Sequence, residues 1–235
     1  MVASGAEALV VDASLDPDVY LQLAGERGWT IRYVLDTHVH ADHLSRSGSL
    51  SQRAGASLFM PEQDRVKFPH ETLRDGLEIR LGNVRLRAMH TPGHTLESMS
   101  YLVAERWLLT GDTLFLAGVG RPDLEASAEQ ARARALLLHG SLRKLFTLDP
   151  ALLVLPAHTS HPIAFDQRLV TASLGAVREA VELPESAETF AVRVLSRIPA
   201  TPPNHHTIVG FNEAGELPAG DPTDLEAGAN RCAVS

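Results

Sequence analysis

The run from Asp36 to Leu44 reads D-T-H-V-H-A-D-H-L and is the feature that most limits what this chain can be. Within it lie three histidines and an aspartate: His38, His40, Asp42 and His43. Imidazole and carboxylate groups packed so closely need a shared cation to offset their loss of solvation, and both are common ligands of transition metals. The run therefore predicts one wall of a metal site. A polar surface loop is disfavoured, because similar donors recur downstream.

Four short apolar runs, each typical of a β-strand, end close to a residue of ligand type. The runs are 31–36, 84–89, 106–110 and 151–155, and the donors that follow them are His38, His94, Asp112 and His158. Strands hold the short loops after their carboxyl ends in fixed positions, so active sites are frequent there. The pattern predicts that donors from separate loops meet around a metal.

Strand-like and helix-like segments alternate along the chain, which favours an α/β architecture. Further strands are expected at 8–12, 58–60, 77–81 and 98–103, and helices at 19–27, 42–54, 127–146 and 168–181. Asp42 and His43 would lie in the first turn of the second helix. The prolines between 199 and 203 break regular structure. We therefore expect one domain, 1–235, with 199–235 as an irregular C-terminal tail.

Charge and composition disfavour several classes of protein. The net charge of -8 would repel a phosphate backbone, so no nucleic-acid partner is expected. Neither a bilayer-spanning apolar run nor a signal-peptide pattern is evident, so we expect no membrane partner and a cytoplasmic location. The single cysteine, Cys232, excludes an internal disulfide and argues against a thiolate zinc site.

Four motifs in order, T-H-V-H-A-D-H, T-P-G-H-T, T-G-D-T-L-F and P-A-H, resemble those of the metallo-β-lactamase superfamily over most of the chain. The resemblance implies an α/β fold of the αββα four-layer sandwich type, with two mixed sheets face to face, helices outside and a metal site at one edge. Members of the family usually have one or two strands before the run that begins at Ala8, so the first edge strands are expected to be missing. A homodimer would cover the resulting open edge.

Two further segments narrow the resemblance. The sequences G-V-G-R-P-D at 118–123 and A-N-R-C-A-V at 229–234 are similar to those of the persulfide dioxygenases, sulfur dioxygenases that resemble glyoxalase II but oxidise glutathione persulfide. A hydroxyacylglutathione hydrolase more typically continues after Gly-Arg with F-F-E-G and carries a longer, helical C-terminal region with basic residues. This chain has neither feature.

The persulfide dioxygenase resemblance implies one Fe(II) per chain, bound by His38, His94 and Asp112. Two imidazoles and one carboxylate leave coordination positions open for O2 and a persulfide sulfur. Glutathione persulfide, or a related low-molecular-weight persulfide, would be oxidised to sulfite and thiol. The remaining donors would orient the ligands and manage protons: His40, Asp42, His43 and His158.

The same donors also fit a dinuclear zinc thioester hydrolase of the glyoxalase II type. One Zn(II) would be bound by His38, His40, His94 and Asp112, and the other by Asp42, His43, His158 and the bridging Asp112. A third hypothesis is a non-catalytic metal-binding or partner-binding member of the fold. It is disfavoured because a binding module does not need a complete set of donors.

Arg121 is a candidate substrate residue with two alternative roles. Its guanidinium would neutralise a substrate carboxylate or a developing sulfur oxyanion, or it would pair with Asp123 and fix its own loop. Cys232 resembles the cysteine in the family's tail, which approaches the active site and can be oxidised. An unreactive, partly buried thiol is the alternative for Cys232.

Ser160 and His161 follow the fourth motif and are candidates for lining the substrate pocket. The family usually has an aspartate or a related residue here and then a tyrosine that helps to hold glutathione, whereas this chain has Thr159 and Ser160. Serine does not reach as far as tyrosine. Glutathione is therefore expected to bind more weakly, or the thiol carrier to be a different one.

Overall fold

The computed structural model describes residues 1–159, 168–226 and 232–234, which divide into two compact units. The first unit comprises Met1–Ala88 and Asn204–Gly228, and the second comprises Met89–Pro203 and Ala229–Ser235. Both units contain helices and strands, as the α/β prediction requires.

The elements follow one another along the chain in a mixed α/β order. The strands are β1 Val2–Ser4, β2 Glu7–Val11, β3 Thr30–Leu35, β4 Ser57–Pro61, β5 Glu71–Leu73, β6 Glu78–Leu81, β7 Val84–His90, β8 Met99–Val103, β9 Trp107–Leu109, β10 Val119–Gly120, β11 Leu153–Leu155, β12 Ala172–Ser173 and β13 Ala233–Val234. The helices are α1 Pro17–Arg27, α2 Ser47–Ala54, α3 Ala128–Leu145, α4 Leu174–Val181, α5 Ala187–Leu195, α6 His205–Ala214 and α7 Thr223–Glu226. Among these described helices, none has the combination of length and hydropathy needed to cross a membrane.

The first unit is built on a five-stranded sheet in the order β1-β2-β3-β4-β5. Strands β2 to β5 run parallel, and β1 lies antiparallel to β2 at one edge. The inner strands are apolar runs because parallel strands are covered on both faces. Their core includes Val10, Val34 and Leu58, packed with Leu50 of α2. Strand β1, Val2–Ser4, was not expected from the sequence.

In the second unit, strands follow the order β12-β11-β9-β8. Strand β11 is parallel to β9, whereas β8 and β12 are antiparallel to their neighbours. The core combines strand residues such as Leu108 and Val154 with Leu138 and Leu142 of α3. A separate two-stranded pair joins β10 to β13, with Val119 opposite Val234.

Helices α1 and α3 confirm the boundaries predicted for them. Helix α1 begins after Asp16, whose side chain accepts a hydrogen bond from the Asp18 amide, and ends at Gly28 in the left-handed conformation. Helix α3 begins after Ser127, which forms a reciprocal capping box with Gln130.

Two other predicted helices begin later than expected. Helix α2 begins at Ser47, so Asp42 and His43 lie in a non-helical loop rather than in its first turn. Helix α4 begins at Leu174 because Ala172 pairs with β11 and the Ser173 side chain caps the helix. In each case a long-range contact replaces the predicted first turns.

The prediction of an irregular tail over 199–235 is wrong for α6, α7 and β13. The prolines at 202 and 203 precede α6 and do not interrupt it, and Gly215 ends α6 in the left-handed conformation. Ile208 and Val209 of α6 are buried, which supplies the packing that a short helix needs. Strand β13 exists because it pairs with β10.

Candidate metal centre

The donor loop of the first unit, residues 36–46, leaves the carboxyl end of β3 and reaches α2 without regular structure. Asp36 lies buried at its start. The Asp36 carboxylate accepts hydrogen bonds from Ser45 Oγ at 2.8 Å and Ser47 Oγ at 2.5 Å. These bonds join the end of the loop to its beginning. They explain why the chain turns back here and does not form the first turn of the helix predicted over 42–54.

Asp12 orients the histidines of the donor loop from the end of β2. It accepts hydrogen bonds from the Thr37 amide at 2.7 Å and the Thr37 hydroxyl at 3.0 Å, and His40 Nε2 lies 3.1 Å from the same carboxylate. Because the Thr37 hydroxyl donates to Asp12, its oxygen can accept from His38 Nδ1, 2.8 Å away. This tautomer puts the lone pair of His38 on Nε2, as a metal ligand requires.

The imidazole rings of the loop form a close group. The ring centroids of His38 and His40 are 4.2 Å apart, and those of His40 and His43 are also 4.2 Å apart. His40, Asp42 and His43 each offer a ligand atom within 4.8 Å of the others. In the described part of the chain, His40 Nδ1 and His43 Nε2 are buried and have no hydrogen-bond partner. Buried nitrogens of this kind fit a metal ion, which would accept their lone pairs.

Buried carboxylates set the protonation of this loop. Burial by itself would lower the pKa of His40, but the charge and hydrogen bond of Asp12, with further charge from Asp36 and Asp42, raise it to about 10. Burial also acts on Asp12, yet His40 holds the pKa of Asp12 below its usual value. The pKa of Asp36 is raised, chiefly by burial. The metal-free loop therefore carries a proton on His40 at neutral pH, and a metal ion bound at His40 Nδ1 would have to displace that proton.

The second unit brings three more donors together. His94 follows β7, and its Nε2 lies 3.6 Å from Asp112 Oδ2. His158 follows β11, and its Nε2 lies 3.1 Å from Asp112 Oδ1. His94 Nδ1 donates to the Arg121 carbonyl at 2.8 Å, since a carbonyl can only accept, and the lone pair of His94 is therefore on Nε2. The donors predicted after β7, β9 and β11 thus meet around one buried carboxylate.

Two glycines allow the close approaches on which this arrangement depends. A Cβ on Gly120 would lie 1.9 Å from the Asp112 carbonyl oxygen and 3.0 Å from His94 Cβ. Gly93 has a φ of 145°, and a Cβ there would lie 2.4 Å from Leu138 Cβ on α3. Any other residue at either position would push apart the backbone that presents His94 and Asp112.

Arg121 takes the second of its two predicted roles. Its side chain is fully buried, and its guanidinium donates to both carboxylate oxygens of Asp123, at 2.8 and 2.7 Å. A third bond reaches the Ala200 carbonyl at 3.2 Å. These contacts occupy three of the guanidinium donors inside the protein, and a direct contact between Arg121 and the substrate stays a prediction. Arg121 fixes the loop whose carbonyl orients His94.

Cys232 is buried and lies near the donors of the second unit. Its carbonyl accepts a hydrogen bond from the Arg121 amide at 2.8 Å, which extends the pairing of β10 with β13. Its Sγ lies within 4.8 Å of a ring nitrogen of His158. The two segments that carried the persulfide dioxygenase resemblance, at 118–123 and 229–234, are therefore joined through residues described in the structure.

The structure thus groups the predicted donors in two sets, one per unit. The first unit holds His38, His40, Asp42 and His43, and the second holds His94, Asp112 and His158, with Cys232 beside them. The combination of His38 with His94 and Asp112 around a single ion stays a prediction. Ser160 and His161 lie outside the described residues.

Sequence reasoning missed three residues that shape the donor loop: Asp12, Asn212 and Glu226. Asp12 closes an apolar strand, the same position that marks the other donors, and this signal was available. Asn212 and Glu226 lie in the segment predicted to be irregular, where no sequence pattern points to the loop. A cavity of about 570 Å³ in the first unit borders Asp36, His38, His40 and Asn212, and the described residues that line it include neither lysine nor arginine.

Comparison with known proteins shows which superfamily this chain resembles. The sequence model of the metallo-beta-lactamase superfamily matches residues 1–158. The hydroxyacylglutathione hydrolase of Brucella ovis is 37% identical over 115 residues, which are 46% of this chain and 45% of that protein. The chain thus spans about half the length of the curated relatives it matches.

Two solved structures are similar over most of this chain. A metallo-beta-lactamase from Staphylococcus aureus subsp. aureus COL has a TM-score of 0.80 at 26% identity and covers 90% of this chain and 66% of its own. ETHE1 from Myxococcus xanthus has a TM-score of 0.64 at 28% identity and covers 96% of this chain and 91% of its own. The family match, the α/β fold and the donor sets agree, and the chain belongs to the metallo-β-lactamase superfamily.

Proposed function

We propose that this chain is a mononuclear non-haem iron dioxygenase that oxidises a low-molecular-weight persulfide, with glutathione persulfide as the first substrate to test. The observation that carries the proposal is the full-length similarity to ETHE1, a persulfide dioxygenase, which covers 96% of this chain and 91% of that one. The hydroxyacylglutathione hydrolases match only about half of either chain.

In this proposal His38, His94 and Asp112 hold the Fe(II). The ion would supply a binding place for the persulfide sulfur and O2 and the electrons that activate O2. The protein's own contribution is orientation. The Arg121 carbonyl fixes the His94 tautomer, and Thr37 and Asp12 fix that of His38. Overall, persulfide, O2 and one water give thiol, sulfite and two protons.

We expect the persulfide to bind as its anion. A terminal persulfide is more acidic than a thiol, and positive charge favours its ionised form. In the metal-free loop the proton on His40 is paired with the Asp12 carboxylate, so the positive charge that favours the anion would come from the bound metal ion. His158, whose ring nitrogen lies 3.1 Å from Asp112, is positioned to exchange protons with groups at the second set of donors. Both residues would manage the protons that the reaction releases.

The thiol carrier is the less specified part of the substrate. Glutathione carries two carboxylates, yet Arg121 is bonded to Asp123, and no lysine or arginine is found among the described residues that line the cavity beside His38 and His40. With Thr159 and Ser160 in place of the family pattern, these observations favour a carrier with fewer negative charges than glutathione. A comparison of kcat/KM for glutathione persulfide and cysteamine persulfide would measure this preference.

A dinuclear zinc thioester hydrolase is the second candidate, because one observation favours it specifically. The candidate ligands for a second ion are found in both units: His40, Asp42 and His43 lie within 4.8 Å of one another in the first, and His158 Nε2 lies 3.1 Å from Asp112 Oδ1 in the second. The similarity to a hydroxyacylglutathione hydrolase, 37% identical over 115 residues, is compatible with this candidate. Two zinc ions would hold a hydroxide for attack on a thioester.

The deciding experiment measures metal and reaction on the same preparation. Purified protein is analysed for iron and zinc per chain, then assayed for O2 uptake with glutathione persulfide and for hydrolysis of lactoylglutathione. We expect one iron per chain, one O2 consumed per sulfite formed, and no thioester turnover. His94→Ala should abolish iron retention. Two zincs per chain with thioester turnover and no O2 uptake would reverse the assignment.

A further inference from the structure

Helix α6 contacts the donor loop of the first unit through the buried side chain of Asn212. The Asn212 amide nitrogen donates to the carbonyl oxygens of His40 at 2.8 Å and His43 at 2.9 Å. Its amide oxygen accepts from the Ser45 amide at 2.8 Å. Both hydrogens of the NH2 group and the carbonyl of the side chain are thus directed at the loop, and the side chain is 7% exposed.

Helix α7 adds a second attachment to the same loop. Glu226 accepts a hydrogen bond from the Leu44 amide at 2.7 Å, and both of its oxygens contact the Arg46 guanidinium. Asn212 and Glu226 together therefore form hydrogen bonds or ion pairs with five residues of the segment from His40 to Arg46. Both lie beyond residues 1–158, the part of the chain that the superfamily model matches.

We propose that Asn212 is a positioning residue for metal binding: by holding the backbone carbonyls of His40 and His43, it sets the direction in which the imidazoles of the loop point. This inference rests on the metal-binding part of the proposed function and not on the identity of the metal or of the reaction. It assigns a role in the metal centre to a segment, 204–226, that contributes none of the predicted ligands.

The loop needs such a device because it has no helix or strand bonds of its own. A non-helical backbone reversal keeps its shape only where its amides and carbonyls find partners elsewhere. Asp36 ties Ser45 and Ser47, and Asp12 ties Thr37, but the carbonyls of His40 and His43 are bonded to Asn212. Loss of the amide would leave two carbonyls of the ligand-bearing residues without these bonds.

Asn212→Asp is the sharpest variant, because it keeps the shape and the acceptor for the Ser45 amide but replaces the donor with a carboxylate oxygen. That oxygen would repel the two carbonyls that Asn212 now attracts. Asn212→Ser, which removes the contacts without adding charge, is the second variant if the aspartate form does not fold. Glu213→Gln is the matched control, since the neighbouring Glu213 side chain contacts Arg65 and not the donor loop.

The measurement is Co(II) binding by the full chain, with affinity from competition against a chelator and geometry from the visible absorption of the bound ion. We expect at least a tenfold loss of affinity and an altered absorption spectrum for Asn212→Asp or Asn212→Ser, and neither for Glu213→Gln. Ile208→Ala, which removes a buried side chain of α6, serves as a control for general destabilisation in the melting of the metal-free chains.

The outcomes separate this inference from the proposed function. If the Asn212 variants melt at the same temperature as Ile208→Ala, and all bind Co(II) with wild-type affinity and spectrum, Asn212 only anchors α6 and the inference is overturned. If wild-type protein binds zinc and hydrolyses thioesters, the proposed reaction fails while the role of Asn212 is still decided by the Co(II) data. A wild-type chain that binds no Co(II) would overturn both.

Discussion

The two donor sets of this chain are built in different ways. In the first unit, four donors lie on one short loop, and its shape is imposed by hydrogen bonds from β2, α2, α6 and α7. In the second unit, each donor comes from a separate loop after a strand, and close backbone packing at Gly93 and Gly120 leaves these loops little freedom. The first set is held mainly by hydrogen bonds from polar side chains, whereas the second also depends on close backbone contacts at two glycines.

This difference predicts how each set should respond to change. A loop fixed by individual hydrogen bonds loses stability in steps of about 1 kcal/mol per bond. Where two stretches of backbone touch and leave no room for a Cβ, a substitution of the glycine breaks the whole contact. The loss in the free energy of unfolding should therefore be large and come in one step. Substitutions in the second unit should therefore have the larger effects, and those in the first unit should be graded and pH-dependent.

The largest effect is expected from Gly120→Ala. Its Cβ would meet the Asp112 carbonyl oxygen at 1.9 Å, a backbone atom that cannot move without displacing the ligand. We expect a loss of about 3 kcal/mol or more in the free energy of unfolding, together with loss of bound metal. Urea denaturation and metal analysis measure the two losses.

Gly140→Ala is the control for that substitution. Gly140 lies within α3, where an added Cβ meets nothing within 4 Å, so alanine should stabilise the helix by up to about 1 kcal/mol. Equal and small effects of the two substitutions would show that backbone packing does not fix the second donor set.

Asp123→Asn should have the next largest effect. Its carboxylate is the partner of the Arg121 guanidinium, which is fully buried, and removing the charge would leave that guanidinium without its counterion. We expect a loss of about 3 kcal/mol by urea denaturation. KM for the persulfide should stay within about twofold of wild type for the folded variant, because Arg121 acts on its own loop. A large rise in KM with little loss of stability would support a substrate role for Arg121.

Substitutions around the first donor set should instead change the pKa of His40 and the pH dependence of stability. In the metal-free chain, Asp12 raises the pKa of His40 to about 10, above the usual 6.5. The stabilisation from this contact is complete below pH 6.5 and is lost as the pH rises toward 10. Asp12→Asn should lower the His40 midpoint by at least one pH unit, or about 1.4 kcal/mol. Nitrogen-15 chemical shifts of the His40 imidazole, followed against pH, measure the midpoint. A midpoint that Asp12→Asn leaves unchanged would refute the pairing of His40 with Asp12.

The same contrast explains what could be predicted from the sequence. Donors that follow strands were found because an apolar run and a turn are local patterns, and the helices predicted at 19–27 and 127–146 were found for the same reason. Helix α2 was placed too early because the bonds that keep Asp42 and His43 out of a helix come from distant residues. Asn212 lies 169 positions from His43, and no local pattern reports such a contact.

The smallest effect is expected from Glu226→Gln. It tests whether substitutions around the first donor set cause small, pH-dependent losses of stability. Burial alone would raise the pKa of Glu226, but hydrogen bonds from Arg46 and the Leu44 amide hold it below its usual 4.5. Its contribution to stability is therefore complete well above pH 4.5 and is lost as the pH falls through the lowered pKa.

Since Glu226 is partly exposed, Glu226→Gln should cost only about 1 kcal/mol at pH 7. The difference from wild type in urea denaturation should shrink as the pH is lowered from 5 to below 4.5 and through the lowered pKa. A difference that stays constant over this range would mean that the carboxylate charge does not hold the loop, and that the amide of Leu44 and the side chain of Arg46 are positioned by other contacts.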